Sequence, residues 1–109
     1  MMTIETFKET AIAIIGLVES EREMEFDRTN CNDVKFDVCV GWFKGYSIQY
    51  SISYGGTTYM KNFYGVTDPN KVTIQGIIDA VKEMADFLEE NKYIDQYNLG
   101  TLIEDRYAN

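Results

Sequence analysis

The sequence predicts an α+β fold, a two-layer sandwich that runs helix, three-stranded antiparallel meander, helix, and ends in a short C-terminal helix. Three observations carry this expectation. Apolar side chains recur every three or four positions near residues 3–24 and 73–91, and every second position across residues 34–66. Turn-forming residues separate these stretches, and no linker or internal repeat interrupts the 109 residues, so 1–109 reads as one domain. A composition 45% hydrophobic and 14% aromatic supplies a single core.

The first helix is expected from Thr3 to about residue 24. Thr3 is its N-cap and Glu5 stands in the first turn, where a carboxylate favours the positive end of the helix. Ile4, Phe7, Ala11, Ile14, Ile15 and Val18 form one apolar stripe, while Ile12 and Leu17 fall outside it. A helix with apolar residues on more than one side is expected to be covered on more than one side. Beyond Val18 the chain becomes a polar, acidic extension, and Thr29 to Asp33 reads as a turn.

Three strands follow. Val34, Phe36, Val38, Val40 and Trp42 alternate with polar or small residues, as do Tyr46, Ile48, Tyr50, Ile52 and Tyr54. Gly55-Gly56 makes a two-residue hairpin that pairs Tyr54 with Thr57, Ile52 with Tyr59 and Ile48 with Phe63. For the earlier hairpin, a three-residue loop of Phe43-Lys44-Gly45 aligns Trp42 with Tyr46, Val40 with Ile48 and Val38 with Tyr50. A two-residue loop would mix the two faces, so the longer loop is expected, with Gly45 as its left-handed residue.

Asp68-Pro69-Asn70 is a turn and Thr73 the N-cap of a second helix from Ile74 to about Asn91. Its buried stripe is expected to be Ile74, Ile77, Ile78, Val81, Ala85 and Leu88. Leu99, Leu102, Ile103 and Tyr107 suit a short docking helix after Gly100, the alternative being a frayed tail.

Charge then narrows the function. The chain carries 18 acidic and 10 basic residues, no histidine and a net charge of −8. Between Val34 and Val66 the lysines Lys35, Lys44 and Lys61 outnumber Asp37, so the acidic excess lies in the flanks, mainly at Glu19–Asp27 and Asp79–Asp95. A pI near 4.4 repels phosphate, so bare nucleic acid is not the expected partner. The apolar run Ala11–Val18 is too short for a bilayer, and the acidic start is no secretory signal. Cys31 and Cys39 match no zinc spacing, and two reduced thiols fit a cytoplasmic protein.

On the second helix Asp79, Glu83, Asp86 and Glu90 stand at offsets that place them within about 60° of one another over roughly 16 Å of axis. A solvated amphipathic face accounts for such a row. Nearby, however, only Lys82 and Lys92 offer compensating charge, and like charges four apart repel. Four carboxylates in line also resemble a run of phosphates that a basic groove would hold. Glu19, Glu21, Glu23, Glu25 and Asp27 form a second acidic cluster without the loop glycine or spacing of a calcium site, beside Arg22 and Arg28. They read as a solubilising helix end that extends the same partner surface. No metal or cofactor is expected.

The outer sheet face, with Lys35, Asp37, Cys39, Ser47, Gln49, Ser51, Ser53, Thr58, Met60, Asn62 and Tyr64, has one acid and one base. It reads either as a plain water-facing sheet or, through Ser51, Met60 and Tyr64, as a secondary interface for a client or a second copy of the chain. The inward tyrosines read as core, since base stacking needs a basic track that three lysines do not supply. Lys61 interrupts the inward pattern and is expected to snorkel past an edge strand.

Catalysis is not expected. Histidine is absent, no nucleophile, phosphate-loop or zinc-protease motif occurs, and the acids line convex helix faces rather than a cleft. The order of elements resembles a double-stranded-RNA-binding domain. In that family lysines open the last helix, whereas Lys71-Val72-Thr73-Ile74-Gln75-Gly76 offers one lysine followed by acids. In layout, size and charge, though through no shared motif, the chain also resembles small acidic phage proteins that inhibit CRISPR nucleases or restriction enzymes. That resemblance implies a nucleic-acid mimic in which Asp79, Glu83, Asp86 and Glu90 occupy a basic nucleic-acid groove and pair with its lysines and arginines. Such a protein would act in the cytoplasm of the infected host. The alternative is an acidic secretion chaperone or toxin-immunity protein, whose client would meet the sheet face or Ile12 and Leu17, often as a homodimer.

Overall fold

The computed structural model describes residues 2–26, 29–31, 34–42, 44–54 and 56–90. The elements run α1 (Ile4–Arg22), β1 (Thr29–Cys31), β2 (Val34–Trp42), β3 (Tyr46–Tyr54), β4 (Thr57–Val66), a 3-10 turn (Pro69–Lys71) and α2 (Ile74–Glu90). The strands form one antiparallel sheet in the order β1-β2-β3-β4. The expected meander is β2-β3-β4, and the expected α+β sandwich is the fold observed. One difference is that Thr29–Cys31, read as turn, adds a short edge strand to β2. The C-terminal helix expected after Gly100 lies outside the described residues.

α1 packs over β2 and β3, α2 packs over β4 and β3, and the two helices touch each other. Both are capped as their sequences require. Thr3 accepts a hydrogen bond from the Thr6 N–H at 3.1 Å, and Thr73 from the Gly76 N–H at 3.0 Å. Beneath the helices lie Phe7, Ile48, Tyr50, Ile52, Ile77, Val81 and Met84, all buried. Met84 and Phe87 belong to the packed face of α2, although the apolar stripe read from sequence omitted them. Ile74, counted in that stripe, is 49% exposed, because the packed stretch begins one turn later at Ile77.

The first hairpin has the expected register: Trp42 opposes Tyr46, Val40 opposes Ile48 and Val38 opposes Tyr50. Two residues of its loop have positive φ: Lys44, at 55°, and Gly45, as expected. Gly45 sits at φ 136°, and a Cβ there would come within 2.7 Å of the Val66 carbonyl oxygen, so glycine is required for a second reason.

The second hairpin departs from expectation part-way along. Tyr54 opposes Thr57 and Ile52 opposes Tyr59 as read, but the register then shifts between Ile48 and Gln49. Gln49 opposes Asn62 and Ile48 opposes Tyr64, not Phe63. This bulge lets two consecutive aromatic residues meet the helical layer. Phe63 lies 5.5 Å from the Phe87 ring, and Tyr64 stacks on Phe7 with centroids 5.7 Å apart. Lys61, on the same strand, directs its ammonium toward the Phe63 and Phe87 rings at 5.6 and 5.5 Å, a cation–π contact at the sheet edge.

Candidate functional site

α2 turns its apolar residues to the sheet, so its opposite side must face solvent, and that side holds the carboxylates. Asp79, Glu83, Asp86 and Glu90 are all exposed. Gln75 donates to Asp79 at 2.8 Å, a helix-surface contact four residues apart. Asp86 is paired across the layer: Arg22, from the last turn of α1, donates to its Oδ1 at 2.6 Å and lies 3.9 Å from Glu89 Oε1. Among the described residues no lysine or arginine pairs with Glu83 or Glu90.

Arg22 therefore joins the two acidic clusters that sequence kept apart. Its guanidinium is pushed further up from its ordinary value, chiefly by the hydrogen bond to Asp86, which outweighs the lowering effect of desolvation, with smaller contributions from the charges of Asp86, Glu89 and Glu21. Arg22 thus stays charged at any working pH, and one cation stands among Glu21, Asp86 and Glu89. Glu89 was missed in the sequence because it falls off the four-residue row. Its signal is that α1 and α2 lie side by side, which helical periodicity does not encode.

The acidic end of α1 is only partly a surface cluster. Glu23 takes the left-handed C-cap position at φ 54°, so the helix stops at Arg22. Glu19 is drawn into that turn: its carbonyl accepts the Glu23 and Met24 N–H groups, and its carboxylate accepts the Phe26 N–H at 3.1 Å. The bond holds the chain as it folds back and buries Phe26. Glu19 is a positioning group for the fold. Glu21, Glu23 and Glu25 are exposed, and Asp27 lies outside the described residues.

The structure does not bring the three residues of the expected sheet-face interface onto one exposed surface. Ser51 is 8% exposed, and Tyr64 is turned inward by the bulge, leaving Met60 half-buried as its remaining member. Ser47 and Gln49 are buried as well, and Cys39 is exposed.

A different apolar surface stands open on α1. Ile12 is 62% exposed and Leu17 70%. Beside Ile12 runs a groove of about 410 Å³ between α1 and β2, lined by Ile15, Gly16, Phe26, Val38 and Val40, with Glu19 at its edge. Among the described residues no three His, Cys, Asp or Glu side chains come together to hold a metal, and no helix is long and apolar enough to cross a membrane. Comparison with protein-family models, curated proteins and solved structures finds no match.

Proposed function

We propose that this chain is a non-enzymatic acidic binding protein that inhibits a nucleic-acid-processing enzyme, a CRISPR nuclease or one of similar kind, by occupying its basic nucleic-acid groove. The supporting observation is the row on α2: exposed carboxylates in line, of which Asp86 is paired with an arginine and the other three have no cationic partner among the described residues. Glu21 and Glu89 widen this row toward α1, giving a band of negative charge rather than a single line. Lysines and arginines that hold phosphate oxygens would hold these oxygens equally, and the net charge of −8 would speed the encounter. The target and the site of action, the host cytoplasm, belong to the same proposal.

The test is competition. A fluorescent DNA duplex held by a purified CRISPR nuclease is titrated with this protein at low and at high salt. Displacement should weaken steeply as salt rises, and the combined variant Asp79→Lys, Glu83→Lys, Asp86→Lys, Glu90→Lys should lose at least about tenfold in potency. Circular dichroism keeps watch on its helix content. Displacement unchanged by the fourfold reversal, or absent across a panel of CRISPR nucleases and restriction enzymes, overturns the proposal.

A further inference from the structure

We infer that the groove between α1 and β2 is a docking site for a basic amphipathic segment of a partner protein, whose bulky apolar side chains enter beside Gly16 while its lysines or arginines lie along the carboxylates of α1. This surface is separate from the acidic row on α2 and does not depend on what that row binds.

Gly16 is the first observation. It sits in the middle of α1, where glycine weakens a helix relative to alanine. Its backbone is not in the left-handed region, and a Cβ built on it meets nothing within 4 Å among the described residues. Among the described residues, therefore, the fold gives no reason for the missing side chain. A body approaching from outside would give one, because only glycine leaves the helix backbone open to close contact.

The groove is the second observation. Its walls are aliphatic and aromatic, it opens to solvent along the side where Ile12 is exposed, and its 410 Å³ is a volume that side chains of a docked segment can fill. Helices that lie in such grooves do so through anchors spaced three and four residues apart.

Charge selects the occupant. On helical spacing, Glu5 and Glu9 precede Ile12 and Gly16 on this side of α1, and both are exposed. Among the described residues Lys8 is the single cation there, lying against Gly41. A second copy of the chain would set these carboxylates against carboxylates, and a neutral apolar ligand would leave them without counter-charge. A segment with leucine-like anchors and flanking cations satisfies both parts of the surface.

The probe is a fluorescent helical peptide of leucine and lysine, with leucines at i, i+3, i+4 and i+7, followed by anisotropy. A control peptide carries glutamine in place of every leucine. Gly16→Leu places a side chain at the groove from a Cβ that meets no described residue within 4 Å, and it should weaken the leucine peptide by about tenfold or more. The control peptide should bind more weakly and be indifferent to that variant. Ile12→Ser, at an exposed position, gives a second variant should Gly16→Leu fail to fold by circular dichroism. The fourfold lysine reversal on α2 should leave the preference for leucine over glutamine intact, which separates this site from the proposed inhibitory row. The inference is overturned if both peptides bind alike, or if the folded groove variants bind the leucine peptide as tightly as the parent. It is also overturned if light scattering shows the free protein to be a dimer that Gly16→Leu dissociates, since the groove would then belong to a second copy.

Discussion

α2 divides its surface into one buried face and one solvated acidic face, whereas α1 buries Phe7, Ala11, Ile15 and Val18 and still presents Ile12 and Leu17 to water. Both helices cover the same sheet, so the difference does not come from what lies beneath them. It comes from what each carries on the other side. A helix with a single apolar face has finished its task once it packs, and its polar face is free to be shaped by charge. A helix with apolar residues left over has surface that the described fold does not consume. The two helices thus offer a partner two different chemistries, carboxylates on one and an apolar groove on the other.

The largest expected effect tests whether α1 really has an inner and an outer side. Phe7 is fully buried, edge-on to Tyr46 at 5.3 Å and stacked with Tyr64 at 5.7 Å. Phe7→Ala should cost about 3–5 kcal/mol in urea unfolding, and Met84→Ala on α2 about 2–5 kcal/mol, because each leaves a cavity in a packed layer. Leu17→Ala should stay within about 0.5 kcal/mol of the parent. A loss at Leu17 as large as that at Phe7 would mean that the outer side of α1 is packed, and the contrast would fail.

The second effect asks whether the helices are equally well started. Thr3→Ala and Thr73→Ala each remove a side chain that accepts a hydrogen bond from an N–H in the first turn. Each should lower stability by about 1 kcal/mol, read as equal shifts in a thermal unfolding curve. A cost at Thr73 with none at Thr3 would show α1 frayed at its start, and would extend the asymmetry from surface chemistry to helix stability.

Much of this arrangement was legible in the chain itself, for reasons that differ by element. Two caps, three strands and the first hairpin register followed from local rules, because Thr3, Thr73 and the alternation around Trp42 and Tyr46 each act on near neighbours. The bulge in β4 did not follow. Residues Lys61 to Tyr64 keep a regular pattern on paper, and only the demands of Phe7 and Phe87 in the helical layer show why both Phe63 and Tyr64 turn inward. The exposed acids of α2 were legible from period alone. The link from Arg22 to Asp86 was not, since it joins residues 64 positions apart. Ile12 and Leu17 were legible as surplus, but the groove beside Ile12 depends on how α1 is set over Val38 and Val40.

The smallest effect is the sharpest on the two helices, because the same substitution should act oppositely on them. At Gly16 an added methyl meets open space, so Gly16→Ala should raise stability by about 0.5–1 kcal/mol through helix propensity alone. At Gly76 the added carbon would lie 2.9 Å from the Thr73 Oγ and 3.2 Å from the Tyr64 ring, close enough that cap or ring must move. Gly76→Ala should therefore lose the propensity gain or fall below the parent, as measured by unfolding midpoint under identical conditions. If both substitutions stabilise alike, Gly76 is no tighter than Gly16 and the space beside α1 is not special. If Gly16→Ala destabilises, the methyl has met something in solution, and the open side of α1 is already covered.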